Sequence, residues 1–193
     1  MIMEQVQRCE WGQSSPVYIE YHDKEWGVPS HDDQKHFEFL VLESAQAGLS
    51  WLTILKRREG YRRLYADFDA EKVARYNAAR IQQMLLDTGI IRNRLKIESS
   101  INNAKRFLEI QESHGSFTNY IWGFNNGKQV VNRFTRMSEI PATSSLSVTI
   151  SKDMRKRGFR FLGPTTLYAH MQATGLVNDH VVDCFRYREC IAP

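Results

Sequence analysis

Near the C-terminus, a histidine and a cysteine stand four positions apart in the stretch His180-Val181-Val182-Asp183-Cys184. On a helix, residues at this spacing point to the same side, so the pair could form half of a tetrahedral metal site. A second pair, Cys9 and His22, lies near the N-terminus. Two sulfurs and two imidazoles suit zinc, which prefers four such ligands. If all four side chains meet, they join the two ends of the chain and make everything between them one closed unit.

The spacing of these residues leaves an alternative open. A buried cysteine beside a capping histidine would give the same C-terminal pattern, and Cys9 and His22 are farther apart than the usual close pairs of zinc sites. A site closed by four ligands would be structural, because a catalytic zinc keeps one position open for water. A zinc hydrolase, which needs that open position, therefore fits the pattern less well.

Length, cysteine count and hydropathy restrict the class of protein. A chain of 193 residues can bury a sizeable core, and we expect one domain over residues 1–193. Three cysteines argue against a disulfide framework, and the N-terminus has no apolar signal segment. No stretch approaches the roughly 20 apolar residues of a membrane span. We therefore expect a cytoplasmic protein, with no protein partner evident and a monomeric state.

Positive charge is concentrated in a few places along the chain. The net charge is +4, and basic runs occur at residues 56–58, 62–63, 92–96 and 152–160. Such runs usually form solvated helix faces, but several together could neutralise phosphates. Charge alone leaves a solvated surface and a nucleic-acid-binding surface as equal alternatives.

The hydrophobic periodicity predicts an all-α protein. We predict helices over residues 34–47, 51–58, 69–76, 79–87, 92–112 and 148–157, and another from 164 or 165 to 175. Gly48, Gly115 and Gly158 are the predicted helix ends. The segments 125–138 and 141–147 have weak periodicity and are predicted to be loops.

The turn before the last predicted helix carries a possible phosphate site. Gly163 closes this turn, and the backbone N–H groups of the following helix could hold a phosphate beside Arg160. An ordinary turn between two helices would have the same sequence, so this pattern does not decide between them.

Aromatic residues and one glutamate suggest a pocket for a flat ring. Each aromatic alone would most simply belong to a core, but five near a metal-bound terminus suit stacking on a planar, cationic ring. They are Trp11, Tyr18, Tyr21, Trp26 and Trp51. Glu43 could be a solvated helix residue. It could also line the same cavity as Trp51, where a cationic or amino-bearing ligand would partner the carboxylate.

Five blocks of sequence together resemble the 3-methyladenine DNA glycosylase I family, in the helix–hairpin–helix DNA glycosylase superfamily. The resemblance spans nearly the whole chain. The matching blocks are Arg8-Cys9-Glu10-Trp11, Tyr21-His22-Asp23-Lys24-Glu25-Trp26-Gly27, Leu42-Glu43-Ser44-Ala45-Gln46-Ala47-Gly48-Leu49-Ser50-Trp51, Gly89-Ile90-Ile91-Arg92 and Gly175-Leu176-Val177-Asn178-Asp179-His180-Val181-Val182-Asp183-Cys184.

The resemblance implies two helical lobes whose termini are joined by one structural zinc ion. It assigns the zinc ligands as Cys9, His22, His180 and Cys184. It also implies that Glu43 acts in catalysis by contacting the polar edge of the excised base. The implied substrate-binding residues are Trp51, which stacks on the base, and Trp11, Tyr18, Tyr21 and Trp26.

The resemblance further implies binding to double-stranded DNA that contains alkylated adenine. Gly48 and Leu49 would press into the space left by the flipped nucleotide. The turn from Arg160 to Thr166 would be the DNA-binding hairpin, with the DNA-binding residues Arg160, Gly163, Thr165 and Thr166.

This sequence departs from the superfamily pattern in two places. The hairpin offers one glycine, Gly163, where two are usual. Asn178 stands where most superfamily members carry a catalytic aspartate, and an asparagine cannot act as a general base. No lysine near the pocket blocks is an obvious nucleophile for a Schiff base, so lyase chemistry is not expected. Methylation at N3 makes adenine a cationic leaving group, so binding and positioning could suffice for cleavage.

The predicted function is a monofunctional DNA repair glycosylase that hydrolyses the N-glycosidic bond of 3-methyladenine and leaves an abasic site. The alternative is a catalytically inactive, zinc-stabilised module that binds damaged DNA. Glu43 alone does not distinguish 3-methyladenine from 3-methylguanine, and the sequence assigns no role to Cys190 or Asp179.

Overall fold

The computed structural model describes residues 6–191, which fold into helices with one very small sheet. The helices are α1 (Pro16–Lys24), α2 (Asp33–Gln46), α3 (Trp51–Leu55), α4 (Arg58–Leu64), α5 (Ala70–Ala74), α6 (Ala78–Leu86), α7 (Arg94–His114), α8 (Phe117–Gly123), α9 (Ser145–Lys156), α10 (Pro164–Ala173) and α11 (Phe185–Glu189). Short 3-10 helices occupy Glu10–Gln13, Ala66–Phe68 and Met137–Glu139. Strand β1 (Val130–Val131) pairs in parallel with β2 (Val177–Asn178).

The predicted helical class is confirmed, and several helices begin where the sequence places a cap. Asp32 accepts a hydrogen bond from Gln34 N at 2.9 Å at the start of α2. Ser50 does the same for α3 and Asp69 for α5. These side-chain oxygens satisfy backbone N–H groups that have no partner inside the helix. Gly115 ends α7 with a φ of 79°, a conformation that glycine adopts without a steric penalty.

Several segments differ from the prediction. Helices α1, α4 and α11 were not predicted, and the predicted loop 125–138 contains strand β1 and the start of a 3-10 helix. The helix predicted over residues 51–58 ends at Leu55, and a turn separates it from α4. Helix α9 begins inside the predicted loop 141–147, because Ser144 and Ser147 form a reciprocal cap. Helix α8 was not predicted. Its first N–H groups are held by the carboxylate of Asp33, a residue distant in sequence.

The two ends of the described chain pack side by side. The larger hydrophobic cluster surrounds α2 and α7, whereas a smaller cluster combines residues such as Tyr21 and Trp26 with Ala173 and Val181. Gly27 N donates to Gln172 O at 2.9 Å across this junction. Gly175 has a φ of 68°, and a Cβ atom there would come within 2.3 Å of the Val28 backbone. This crossing therefore requires glycine.

Within residues 6–191, none of the helices combines the length and the apolar character that a membrane crossing requires.

Candidate active site and metal site

The two predicted Cys/His pairs meet in the interior of the protein. Their side chains form a group called here the metal cluster, and its ligand atoms all lie within 4.8 Å of one another. Cys184 Sγ is 3.5 Å from His22 Nε2 and 3.4 Å from His180 Nδ1, and Cys9 Sγ is 3.6 Å from His180 Nδ1. All four residues are buried. The cluster could therefore hold a metal ion.

His180 and Cys184 do not share a helix, which was the geometry considered for this pair from its spacing. This stretch is a turn, in which Cys184 N donates to Val181 O, and Cys184 caps the following helix α11. Asn178 fixes the turn, because its Oδ1 accepts from His180 N at 3.2 Å and its Nδ2 donates to Tyr187 O at 2.8 Å. The buried amide of Asn178 thus has a structural role.

Both histidines of the cluster are oriented by hydrogen bonds on their other ring nitrogen. His22 Nδ1 lies 2.8 Å from Asp23 Oδ1, and His180 Nε2 lies 2.9 Å from Trp26 O. Since a carboxylate and a carbonyl only accept, these ring nitrogens must carry the hydrogens. The lone pairs of His22 Nε2 and His180 Nδ1 are then directed at the thiols, as metal ligation requires.

The charges around the cluster support this arrangement. Burial tends to raise the pKa of Asp23, but hydrogen bonds from Arg8 and His22 hold that pKa below its usual value. Hydrogen bonding between the two thiols lowers the pKa of Cys184 and raises that of Cys9. One thiolate therefore forms readily among these residues, and thiolate is the form that binds metals.

A cavity of about 300 Å³ lies next to the metal cluster. Its size is at the lower end of the range for small-molecule sites. It is lined by Trp11, Tyr18, Tyr21, Trp26, Glu43, Gln46, Trp51, Met137, Ile140, Ala169 and Gln172. The five predicted aromatic residues and Glu43 are thus brought together, as the sequence indicated.

The aromatic rings support one another at the walls of the cavity. Trp11 meets Tyr18 edge to face, with ring centroids 5.5 Å apart, and meets Trp26 at 5.0 Å in the same manner. Trp51 stacks on Phe39 at 6.3 Å with an interplanar angle of 28°. These contacts leave a rigid, mostly apolar surface, which suits a flat ligand.

Two polar groups at the cavity make no hydrogen bond of standard geometry with residues 6–191. Glu43 is 4% exposed, and its carboxyl group has no hydrogen-bond or ion-pair partner among residues 6–191. Burial raises its pKa to about 8. The indole N–H of Trp51 is also buried without a hydrogen bond. Because such groups are costly to bury, they indicate the position of a polar ligand.

The cavity and the metal cluster share a wall. The Trp26 ring meets the His180 ring at 4.6 Å, and the Trp11 ring meets the His22 ring at 5.4 Å. The Trp26 carbonyl also accepts from His180, as described above. The cluster therefore fixes the position of two tryptophans that line the cavity.

The predicted DNA-contacting residues lie on the surface, in two separate places. Gly48 and Leu49 form the exposed turn after α2, next to Gln46 at the cavity rim, and Leu49 is 37% exposed. Arg160 and Gly163 are exposed in the turn between α9 and α10. In the first turn of α10, Thr165 is exposed and Thr166 is half-buried.

A buried asparagine shapes the turn between α9 and α10. Asn103 accepts from Arg160 N and donates to Arg160 O, each at 2.8 Å. Phe161 adopts a φ of 57° and is 43% exposed. The turn is therefore held in one shape and presents its tip to solvent.

Sequence reasoning missed five residues of the cavity. Gln46 follows Glu43 by three positions on α2, and Ala169 precedes Gln172 by three on α10, so helical spacing could have paired each couple. Met137 lies in the predicted loop 125–138, and Ile140 lies between that loop and the predicted loop 141–147. Their approach depends on tertiary packing, for which the sequence holds no local signal.

Comparisons with known proteins agree with this geometry. The sequence profile of the methyladenine glycosylase family matches residues 11–187. The DNA-3-methyladenine glycosylase 1 of Escherichia coli strain K12 is 47% identical over 182 residues, which are 94% of this chain and 97% of that protein.

Two solved structures are similar over almost the whole chain. A crystal structure of 3-methyladenine DNA glycosylase I superimposes with a TM-score of 0.90 at 44% identity and covers 93% of this chain and 98% of that chain. A variant of 3-methyladenine DNA glycosylase I in complex with 3-methyladenine gives a TM-score of 0.89 at 38% identity and covers 92% and 96%.

Proposed function

This chain belongs to the methyladenine glycosylase family, and from that premise we propose that it is a monofunctional DNA repair glycosylase. Its substrate is 3-methyladenine in alkylated double-stranded DNA, and its products are the free base and an abasic site. The observation that carries the proposal is Glu43, a buried carboxyl group without a partner in an aromatic cavity.

The cavity would receive a base that has been flipped out of the duplex. Extrusion costs a few kcal/mol, and it costs least for a damaged base that stacks poorly. Stacking on Trp51 and contact with the other aromatic rings would offset this cost, with about 0.5–2 kcal/mol for each good contact between a ring and a cation. The unpartnered indole N–H of Trp51 and the carboxyl group of Glu43 would complete the contacts.

Glu43 has a protonation state that responds to the ligand. With a pKa of about 8, its carboxyl group holds a proton at neutral pH while the cavity is without a ligand. A cationic base lowers this pKa, because an opposite charge nearby favours the carboxylate. Binding of the cation and release of this proton are therefore coupled.

The bond would break by dissociation. Electrons of the bond between C1′ and N9 move onto the base, which leaves as neutral 3-methyladenine, and water then adds to the sugar cation and loses a proton. Among residues 6–191, no lysine lines the cavity, so no amine stands ready to form a Schiff base with the sugar. A hydrolytic reaction without strand cleavage follows from this.

The exposed turns would hold the DNA. Leu49 would fill the space left in the duplex, as apolar side chains do when they are inserted between base steps. Arg160 would contact a phosphate beside the N-terminus of α10, where Thr165 and Thr166 present backbone N–H groups. Gly163 lets the backbone come close to that phosphate.

The metal cluster would hold a structural zinc ion. An ion with bonds of about 2.3 Å to sulfur and about 2.0–2.1 Å to nitrogen, in tetrahedral geometry, separates sulfur from nitrogen by about 3.5 Å. The three sulfur–nitrogen distances of 3.4–3.6 Å in the cluster agree with that value. Bound there, zinc would join the N- and C-terminal segments. Four buried donors leave no open position for water, which argues against a zinc hydrolase.

The test is release of free base from alkylated DNA, resolved by chromatography, with the variant Glu43→Gln. We expect the variant to bind DNA nearly normally and to excise 3-methyladenine about 100-fold more slowly, because a group that stabilises the departing base is lost. Glu112→Gln is the matched control, since Glu112 is an exposed glutamate of α7 that does not line the cavity.

Two outcomes would contradict the proposal. Normal excision by Glu43→Gln would remove Glu43 from the mechanism. Binding of alkylated DNA by the unaltered protein without release of any base would instead favour the binding module.

A further inference from the structure

A second polar side chain at the cavity, Gln172, is held in one orientation by a buried carboxylate. Gln172 lies on α10 and lines the cavity. Its Nε2 donates to Asp179 Oδ2 at 2.8 Å. Asp179 is 0% exposed and directly follows strand β2. The contact joins a cavity-lining residue to a buried acceptor.

Three donors converge on Asp179. Besides Gln172, the hydroxyl of Tyr168 donates at 2.7 Å and Nδ2 of Asn132 donates at 2.6 Å. The carboxylate therefore acts as an acceptor toward all of its neighbours. An acceptor can bind only the NH₂ end of an amide, so Gln172 cannot flip without losing this bond.

The amide oxygen of Gln172 is left as a fixed acceptor. Among residues 6–191, this oxygen has no hydrogen-bond partner. It is also not fully buried, so a ligand can reach it. Since the amide nitrogen is bound to Asp179, the oxygen is the polar atom of this side chain that can meet a ligand in the cavity.

A fixed acceptor distinguishes adenine from guanine. Adenine carries an amino group at C6, whereas guanine carries a carbonyl oxygen there. In a 3-methyladenine nucleotide the C6 amino group is the one N–H donor of the base. Any hydrogen bond between the base and a fixed acceptor must use that group. A C6 carbonyl at the same place would set two acceptors against each other.

Resting on the proposed function, we propose that Gln172, oriented by Asp179, accepts a hydrogen bond from the C6 amino group of the flipped base and sets the preference for 3-methyladenine over 3-methylguanine. Glu43 does not set this preference alone, because its carboxyl group can donate or accept according to its protonation state. Gln172 has no such freedom. A site built around a polar contact rejects the analogue that lacks it far better than an apolar pocket does.

The experiment measures both bases in one reaction. DNA treated with a radiolabelled methylating agent is incubated with the protein, and released 3-methyladenine and 3-methylguanine are separated by chromatography. The variant Gln172→Met conserves side-chain volume and removes the acceptor. We expect its kcat/KM for 3-methyladenine to fall about tenfold while that for 3-methylguanine stays unchanged or rises, so that the ratio of the two falls at least tenfold.

Gln46→Met is the matched control, since Gln46 is a cavity-lining glutamine whose Nε2 donates to Leu49 O at 3.3 Å. It should change both rates in parallel and leave the ratio intact. Asp179→Asn tests the orientation itself and should also lower the ratio, because its amide can donate and frees Gln172 to rotate. Thermal unfolding of each variant, monitored by circular dichroism, separates a lost contact from a lost fold.

An unchanged ratio in folded Gln172→Met, or a parallel fall in both rates, would overturn the assignment of Gln172 and leave the proposed function standing. Absence of base release by the unaltered protein would instead overturn the proposed function. The two failures are therefore distinguishable.

Discussion

The metal cluster and the cavity share a wall, but their polar groups are arranged in opposite ways. In the cluster, each histidine donates from one ring nitrogen to Asp23 or to a backbone carbonyl, and only the four ligand atoms face inward. In the cavity, the carboxyl group of Glu43 and the indole N–H of Trp51 make no hydrogen bond of standard geometry with residues 6–191. The donor atoms of the cluster converge on one point, where they could hold a small ion. The cavity leaves groups for a ligand that comes and goes.

The largest effect should come from breaking the cluster. In Cys184→Ser, we expect loss of the bound metal and a free energy of unfolding lower by about 5 kcal/mol, because the metal couples binding to folding. Thermal unfolding and metal analysis by mass spectrometry measure both. Cys190→Ser is the control, since Cys190 is also buried but lies outside the cluster. Equal losses of stability and of metal in the two variants would show that Cys184 does not act as a metal ligand.

The next effect should come from a substitution that changes the cavity and leaves the metal cluster intact. In Trp51→Ala, we expect kcat/KM for 3-methyladenine release to fall about 30-fold, since stacking of a base on an aromatic ring contributes roughly 1–3 kcal/mol. The metal content should not change. Trp51→Phe retains a ring and should lose much less activity. If metal were lost together with activity in Trp51→Ala, the two regions could not be treated as separate.

A stability measurement tests the unpartnered carboxyl group. Burial raises the pKa of Glu43 from 4.5 to about 8, so the folded protein keeps a proton that the unfolded chain releases between these pH values. The free energy of unfolding should therefore fall as pH rises through this window. Glu43→Gln removes this dependence. We expect it to be more stable than the unaltered protein by about 4 kcal/mol at pH 8, and no more stable at pH 4.

Urea unfolding at the two pH values measures this difference. The surface variant Glu112→Gln should follow the unaltered protein at both. A Glu43→Gln variant that is less stable at pH 8 would mean that the carboxylate has a partner in the folded protein.

The smallest effect should come from Asp23, which contacts the cluster residue His22 but is not itself one of the four ligands. Asp23→Asn removes the charge that orients His22, and we expect metal affinity to fall about tenfold, as measured by competition with a chelator. Asp87→Asn is the matched control. The carboxylate of Asp87 also accepts a hydrogen bond from an arginine, Arg63, but Asp87 lies outside the cluster. An unchanged affinity in Asp23→Asn would make the contact with His22 incidental.

The sequence predicts elements whose signals are local. Helices α2 and α7 were found because an apolar stripe and a capping residue lie close together in the chain. Helix α8 was missed, since its start depends partly on Asp33, a residue of α2 that joins it only in the folded protein. Tertiary contacts of this kind leave no periodic mark in the sequence.

In the candidate site, too, residues that are close in sequence could be predicted, whereas residues joined by tertiary contacts could not. Glu43 and Trp51 could be placed in one cavity because a single helix and turn separate them. Gln172 could not be placed there, since its role depends on Asp179, which joins Gln172 and Tyr168 of α10 to Asn132, a residue distant in sequence. The spacing of His180 and Cys184 suggested a helix, but the structure has a turn there. The two conformations cannot be told apart from the spacing, because both bring the two side chains together.

The pairing of the two chain ends has a consequence for the order of folding. Cys9 and His180 are 171 positions apart, so the contact closes a loop of nearly the whole chain and belongs to the slowly formed, long-range class. Since synthesis proceeds from the N-terminus, Trp11 and Trp26 are made early but reach their final places only after residues 180–184 leave the ribosome. An unfinished chain therefore has no closed wall for a base. We expect glycosylase activity to arise only after residues 180–184 have reached their final places.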